Sequence, residues 1–309
     1  MCSPEATWAI KRLLLLWLLA LAVPAVAGPR IAIIDRFFPP LEGFASNEAR
    51  SRSNLLYGLV DLDQDHEREA YYHGDLVHII AAHPQFSFLH YPMRAGPSPM
   101  AEILANLRKM RVRQERYPVD ALILSWESST LISAFETPLR LEHAAHYKAL
   151  LRDWGKQYSV WRDTYAIILE LEALVRAGVQ VYTIAGNGGS RMVNTFSFAE
   201  GVITVGAREA ELNRFVADNA FVDAHEQAAY FIRRVDDAAG RPLGYDVDGD
   251  GCVDIPLSRL SAANSTLQSL PQQYWQPITG SSFAAPMALR RDLLAQARWA
   301  GCSAERARF

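Results

Sequence analysis

Residues Arg30–Asp35 read RIAIID, a short apolar run rich in β-branched residues that ends in a charge. Such a run is typical of a strand buried on both faces in a parallel sheet. Similar runs recur along the chain, separated by segments with the apolar spacing of amphipathic helices. The alternation predicts an α/β fold of three layers, a mostly parallel central sheet with helices on both faces. Further predicted strands are FSFLHY (86–91), DALILSW (120–126), VQVYTIAG (179–186) and GVITVGA (201–207), and predicted helices are HGDLVHIIAAH (73–83), SPMAEILANLRKMRVRQERY (98–117) and YAIILELEALVRAG (165–178).

Composition supports a globular chain with a large core. The sequence has 309 residues, and 50% of them are hydrophobic. One large domain or two small ones fit that length, and one domain over residues 28–309 is the simpler interpretation. Within it, residues at about 130–160 and 208–278 are predicted insertions. The net charge of -3 gives no basic excess, so no nucleic-acid partner is predicted.

The N-terminus has the pattern of a targeting segment. Lys11 and Arg12 precede the apolar run LLLLWLLALAV (13–23), and the small residues AVA (25–27) follow it. This pattern predicts a signal peptide over residues 1–27 and a secreted or periplasmic protein, with an uncleaved anchor as the alternative. No membrane contact beyond that segment is predicted.

Several polar residues come at the ends of predicted strands. Asp35, Ser125 and Asn187 lie at or just after such ends, where sites of α/β folds are found. The stretch TGSSFAAPMALRR (279–291) places Ser282 at the start of an alanine-rich helix. A serine there is either a helix cap or an acyl-transfer nucleophile, since the free N–H groups of a helix start favour negative charge.

Together these residues supply the groups that a serine hydrolase needs. Such an enzyme requires a hydroxyl, a histidine that takes its proton, a carboxylate that holds the histidine, and donors for the oxyanion. Ser282, His73, Asp35 and Asn187 are one candidate for each, in the chain order Asp, His, Asn, Ser.

At these motifs the chain resembles the subtilisin-like serine proteases, over roughly residues 30–295. The nucleophile motif of that family, Gly-Thr-Ser-Met-Ala-x-Pro, corresponds to Gly280–Pro286, and its Ala-Gly-Asn corresponds to Ala185–Asn187. Its histidine motif, His-Gly-Thr-His-Val, corresponds to His73–Val77, and the aspartate strand corresponds to IAIID.

The resemblance implies a subtilisin-like fold and a serine endopeptidase that acts on polypeptides through an acyl-enzyme. In this interpretation Ser282 is the nucleophile, His73 the general base and Asp35 its orienting carboxylate. The side chain of Asn187 and the backbone N–H of Ser282 would form the oxyanion hole. Secreted members of that family usually carry an inhibitory prodomain, whereas here only residues 28–30 lie between the predicted cleavage site and the apolar run IAIID. Either the protein folds without a chaperone segment, or a separate inhibitor or chaperone protein supplies it, or the chain is not a general protease.

One wall of the implied substrate cleft departs from the family. Where the family often has Ser-Leu-Gly, this chain has Ser125, Trp126 and Glu127. We expect Trp126 to line an apolar subsite, and Glu127 to narrow the primary pocket or favour a basic substrate residue. Arg36 and Phe37 replace the small residues after the aspartate and are expected to crowd Asp35.

The segment DVDGDGCVD is a candidate structural calcium site. Asp246, Asp248, Asp250 and Asp254 have the spacing of the first ligands of a Ca²⁺ loop, whereas Leu257 stands where the loop motif has Glu. The alternative is an acidic surface turn. A weaker second candidate is the segment DLDQDHE, with Asp61, Asp63 and Asp65.

Two alternatives about chemistry stay open at this stage. Cys252 and Cys302 either form a disulfide, as an oxidising compartment would allow, or remain two thiols. The triad residues serve a protease, an acyl hydrolase or peptide ligase, or a pseudoenzyme that binds peptides without cutting them. His73 and Asn187 speak against a sedolisin-type site, which uses Glu and Asp in those roles.

Overall fold

The fold is described from a computed structural model that covers residues 28–37, 71–94, 98–256 and 277–306, with the backbone alone for 297–306. The strands are β1 (Arg30–Asp35), β2 (Ser87–Pro92), β3 (Ala121–Leu124), β4 (Ser129–Leu131), β5 (Gln180–Ile184), β6 (Met192–Asn194), β7 (Ile203–Ala207), β8 (Ala224–Glu226), β9 (Ala229–Tyr230), β10 (Arg233–Asp236), β11 (Pro242–Asp246), β12 (Ile255–Pro256) and β13 (Ile278–Thr279). The α-helices are α1 (His73–Ala81), α2 (Pro99–Arg113), α3 (Ala144–Trp154), α4 (Ser159–Arg176) and α5 (Ser281–Arg306).

A parallel sheet forms the middle layer. Its strand order is β2-β1-β3-β5-β7-β8, and every neighbouring pair is parallel. The predicted fold class, a three-layer α/β fold with a parallel central sheet, is therefore confirmed. The carboxyl ends of β1, β3 and β5 meet at one edge of this sheet, which is where Asp35, Ser125 and Asn187 follow their strands.

Alternate residues of β1 belong to different cores, as the pleat of a strand requires. Ala32 and Ile34 pack with α2 and α4 on one face of the sheet, whereas Ile31 and Ile33 pack with α1 and α5 on the other. On the second face α5 contributes the small buried side chains of Ala284, Ala285 and Ala288, which let the helix lie close to the sheet.

The helix boundaries differ from those predicted mainly at α4. This helix begins at Ser159, six residues before the predicted start at Tyr165, because Trp161 and Tyr165 both pack against the core. The start of α2 agrees with the sequence, since the Ser98 hydroxyl accepts a hydrogen bond from the Ala101 N–H and Pro99 is the first helical residue.

Beyond β8 the chain forms small antiparallel sheets. Strands β10, β11 and β12 form one of them, and β9 pairs with β13 in another. The β9–β13 pair brings the chain to the start of α5, where the Gly280 N–H donates to the Ala228 carbonyl at 2.9 Å. These strands therefore position the beginning of α5.

The predicted export bears on whether the chain contacts a membrane. Within the described ranges, no helix combines the length and the apolar character that crossing a bilayer requires. The predicted signal segment, residues 1–27, lies outside the described residues.

A matched pair of substitutions on α4 tests the assignment of its buried face. Leu171 is fully buried in the core, whereas Leu169, two residues earlier, is 44% exposed. We expect Leu171→Ala to lower the free energy of unfolding by about 2–5 kcal/mol, through lost burial and a residual cavity. Leu169→Ala should change it by no more than about 0.5 kcal/mol. Urea denaturation of both variants measures this, and equal effects would contradict the assignment.

Candidate active site

The carboxylate of Asp35 lies buried at the end of β1. Its side chain has no exposed surface. One carboxylate oxygen, Oδ1, accepts a hydrogen bond from the Arg36 N–H at 2.7 Å. The other oxygen, Oδ2, lies 2.8 Å from Nδ1 of His73. The carboxylate is thus held by one backbone donor and one imidazole, as a buried anion requires.

His73 is brought to Asp35 by a close approach between helix and strand. The Gly74 N–H donates to the Arg36 carbonyl at 2.9 Å. A Cβ atom at position 74 would lie 2.6 Å from that carbonyl oxygen and 2.7 Å from Cβ of Asp35. Only glycine fits without a backbone shift, which explains the His-Gly pair. Asp75 caps the same helix, since its Oδ2 accepts from the Tyr72 N–H at 2.8 Å.

The pKa of His73 is raised above its ordinary value of 6.5. Burial of the ring opposes protonation, but the charge of Asp35 and its hydrogen bond together outweigh that effect. The side chain keeps 30% of its surface exposed, so the ring is not fully enclosed. Since Nδ1 is engaged by Asp35, Nε2 is the nitrogen available for other chemistry.

Ser282 lies in the first turn of α5, which is positioned by a hydrogen bond from Ser125 and by the packing of Phe283. Pro286 has no N–H, so the Ser282 carbonyl lacks the helical donor that a residue four positions later usually provides. The hydroxyl of Ser125 donates to that carbonyl instead, at 3.0 Å. The next residue, Phe283, has its ring centroid 5.7 Å from that of His73. The start of α5 therefore lies beside α1 and its histidine.

Asn187 is held by the residue that precedes Ser282. Its side-chain oxygen accepts from the Ser281 N–H at 2.9 Å and from the Ser281 hydroxyl at 3.0 Å. The Ser281 Oγ in turn accepts from the Gly186 N–H at 3.2 Å. Because a backbone N–H is a fixed donor, it sets the orientation of the amide and leaves Nδ2 as its free donor. Gly280 makes room for this amide, since an added Cβ would lie 3.3 Å from Nδ2.

Glu127 contacts the same turn. Its Oε2 accepts from the Asn187 N–H at 2.8 Å and from the Ser129 hydroxyl at 2.9 Å. Gly186 has φ +101°, and a Cβ there would lie 2.5 Å from this Oε2. Glycine at 186 is therefore needed both for its backbone conformation and for the space that the carboxylate occupies.

Trp126, between these residues, is half-buried and packs against the core below the sheet edge. Its carbonyl accepts from Nδ2 of Asn194 at 3.2 Å. The Asn194 amide also donates to the Ile184 carbonyl and accepts from the Ser128 N–H, so it ties the segment after β3 to the end of β5. Asn194 is not among the residues predicted from the sequence, where an asparagine in a β-rich run is its only signal.

The structure brings predicted site residues together in two places. Asp35 is hydrogen-bonded to His73, and Asn187 is hydrogen-bonded to Ser281, the residue before Ser282. Ser282 is related to His73 through its neighbour Phe283, whose ring centroid lies 5.7 Å from that of His73.

Arg36 and Phe37, which were expected to crowd Asp35, are both buried, and Phe37 stacks on His90 with ring centroids 3.9 Å apart. A Cβ atom at position 74 would lie 3.0 Å from Cε1 of Phe37, so the end of β1 is closely packed.

The acidic segment forms a compact loop after β11. Carboxylate oxygens of Asp246, Asp248 and Asp254 lie within 4.8 Å of one another, and Asp250 is not part of this group. Asp246 accepts from the N–H groups of Gly249 and Gly251 at 2.7 and 2.9 Å. Arg290 of α5 pairs with Asp248 at 2.6 Å. Carboxylate oxygens are ligands that calcium prefers, but here Asp248 is already paired with an arginine.

Calcium binding at this loop stays a prediction, and a thermal unfolding series tests it. In calcium chloride relative to EDTA, we expect a higher unfolding temperature for the wild type and for Asp250→Asn. Asp246→Asn should lose the calcium-dependent increase, because Asp246 belongs to the convergent group. The quantity to compare between variants is the difference in unfolding temperature between calcium chloride and EDTA. A wild-type protein without such a difference would contradict the site.

Cys252 lies in the same loop. It is exposed and its thiol is free, so the disulfide considered from the sequence is not formed. A hydrogen bond to Asp250, the charges of the neighbouring carboxylates and some desolvation raise the pKa of this thiol. The side chain of Cys302 and the acidic segment 61–67 lie outside the described residues.

The fold and side chains together define an α/β protein with a buried Asp–His pair beside a serine at a helix start. No protein-family model matches the sequence, and no curated protein matches it. Among solved structures, the chain is similar to a lanthipeptide protease at 15% identity and a TM-score of 0.43, covering 87% of this chain and 74% of that one.

Two further solved structures are similar over comparable lengths. The MycP3 protease from the type VII (ESX-3) secretion system has 15% identity and a TM-score of 0.46, covering 88% of this chain and 72% of that one. A mutant of the protease domain of PatA has 13% identity and a TM-score of 0.45, covering 90% and 84%. The predicted resemblance to the subtilisin-like serine proteases is confirmed as a resemblance. Since all three scores lie below 0.5, these likenesses support no conclusion about activity or substrate.

Proposed function

We propose that this chain is a serine endopeptidase that hydrolyses peptide bonds through an acyl-enzyme. The observation that carries the proposal is the 2.8 Å contact between His73 Nδ1 and the fully buried Asp35, beside the helix start that holds Ser282. A buried carboxylate on Nδ1 fixes the imidazole tautomer that leaves a lone pair on Nε2. That lone pair is the base that a serine hydroxyl needs.

The proposed reaction uses these residues in sequence. Ser282 Oγ attacks the carbonyl carbon of the substrate while His73 Nε2 takes its proton, and Asp35 stabilises the imidazolium. The oxyanion receives hydrogen bonds from Nδ2 of Asn187 and the backbone N–H of Ser282. His73 then protonates the leaving amine, and water, activated by the same imidazole, releases the acyl group from Ser282.

The arrangement around Asn187 supports its part in this reaction. An oxyanion hole works only if its donors are oriented before charge develops. The amide oxygen of Asn187 accepts both hydrogen bonds from Ser281, so the NH₂ group of the same amide is the part that can donate to an oxyanion. The neighbouring N–H of Asn187 is occupied by Glu127, so the side-chain amide is the donor that this residue can offer.

The first test distinguishes an enzyme from a peptide-binding protein. We expect a fluorophosphonate to label Ser282 in the folded protein, because only an activated serine reacts with it. Ser282→Ala should lose the label and reduce peptide hydrolysis by more than about 10³-fold. Ser87→Ala, at an exposed serine of β2, is the control and should behave as wild type.

Two results of that test would redirect the proposal. A folded wild-type protein that takes no label would favour a peptide-binding pseudoenzyme. Labelling without cleavage of casein or peptides at neutral pH would favour an acyl hydrolase or a peptide ligase that uses the same residues.

The pH dependence of the activity tests the Asp35–His73 pair. Because the pKa of His73 is raised, the inactive protonated form persists to higher pH than for an ordinary histidine. We expect kcat/KM to fall on the acidic side with an apparent pKa above 6.5. Asp35→Asn should move this limb to lower pH and reduce kcat by about 10⁴-fold. A limb that does not move in Asp35→Asn would contradict the assigned pair.

Glu127 is proposed to select basic side chains in the primary pocket. Among the described residues no cation pairs with its carboxylate, which accepts hydrogen bonds from the Asn187 N–H and the Ser129 hydroxyl. We expect Glu127→Gln to lower kcat/KM for peptides with Lys or Arg before the cleaved bond by about tenfold, with little change for Leu. Glu211→Gln, at an exposed carboxylate, is the control. A mixed peptide library cleaved without preference for Lys or Arg would remove this role.

Export through the segment 1–27 and regulation by a separate inhibitor or chaperone protein are proposed from the sequence alone. A role for Trp126 as the wall of an apolar subsite is likewise a proposal.

A further inference from the structure

Two histidines outside the proposed active site face each other across α1 and β2. His78, in the last turn of α1, is partly exposed, and His90, in β2, is exposed. Nδ1 of His78 lies 3.1 Å from Nε2 of His90. Neither ring takes part in the reaction proposed above, so the pair has no assigned role.

Aromatic packing fixes the orientation of both rings. Phe37 stacks on His90 with centroids 3.9 Å apart and planes inclined by 13°. Phe88 packs against His78 with centroids 4.3 Å apart. The two imidazoles meet edge to face, with an interplanar angle of 75°. The two rings are therefore held side by side, with these nitrogens adjacent, by side chains that do not depend on any bound group.

The separation of the two nitrogens suits a single transition-metal ion. Bonds of about 2.05 Å from one ion to both nitrogens, spaced 3.1 Å apart, give an N–metal–N angle of about 100°. That value lies between the angles of square-planar and tetrahedral coordination, which Cu²⁺ and Zn²⁺ adopt. Imidazole is a preferred ligand of both ions, and the exposed side of His90 leaves the other positions to water.

We propose that His78 Nδ1 and His90 Nε2 form a binding site for a divalent late transition-metal ion, Cu²⁺ or Zn²⁺. Without a metal ion, one of these nitrogens carries a proton and donates a hydrogen bond to the other. Binding places the proton of each ring on its other nitrogen, so one ring changes tautomer and no proton is lost.

An ion bound by this pair would connect elements that lie next to the proposed active site. His78 lies on the same helix as His73, and His90 is paired with Ile33 of β1, the strand that ends at Asp35. An ion bound by both histidines would tie α1 to β2, beside the strand that carries Asp35. We therefore expect the ion to stabilise the folded chain.

The binding experiment uses the full chain with any polyhistidine tag removed. Equilibrium dialysis with Zn²⁺ should give one ion at this site, and the unfolding temperature should rise with Zn²⁺. His78→Ala and His90→Ala should each weaken binding by at least about tenfold and abolish the rise. His83→Ala, at a histidine of the α1–β2 connection that contacts neither ring, is the matched control and should bind as wild type.

A spectroscopic measurement on the wild type keeps the proposal testable if a variant does not fold. The electron paramagnetic resonance spectrum of the Cu²⁺ complex should show superhyperfine splitting from two imidazole nitrogens. An all-oxygen ligand set would place the ion elsewhere, as at the acidic loop, and would overturn the proposal. The same conclusion would follow if His78→Ala and His90→Ala bound Zn²⁺ as tightly as His83→Ala.

Discussion

The buried carboxylate of Asp35 is the constraint on which the geometry of the site depends. An anion removed from water costs several kcal/mol unless donors surround it, and here the donors are the Arg36 N–H and His73. To supply the second donor, α1 must begin directly against the end of β1. The missing side chain of Gly74 permits that approach. The position of His73 therefore depends both on the charge of Asp35 and on the absence of a Cβ atom at position 74.

The serine end of the site is fixed by a different device, the incomplete first turn of α5. Pro286 has no N–H to donate to the Ser282 carbonyl, and the hydroxyl of Ser125, just after β3, donates to that carbonyl instead. Ser281 meanwhile joins the helix to Asn187 after β5. The turn that holds the serine is thus bonded to two central strands rather than to its own helix alone. This arrangement aligns the helix start with the sheet edge.

The sequence predicted the sheet and the helices, because buried parallel strands are continuous apolar runs, and it indicated candidate site residues at the polar ends of those strands. It did not predict the partners of Ser125 and Ser281, which are 157 and 94 residues away in the chain. Periodicity encodes which face of an element is buried, not where one hydroxyl points across the fold. Pro286 was the available signal, since a proline inside a helix leaves a carbonyl four residues earlier without its donor.

The placement of Ser282 on the last described helix has a consequence for the order of folding. Chains fold domain by domain as they are synthesised, and contacts between distant residues form slowly. Asp35 and His73 are 38 residues apart, and both are synthesised before α5. In the proposed reaction the nucleophile comes from α5, so that reaction requires α5 to dock against β3 and β5. It could therefore begin only after this helix has left the ribosome.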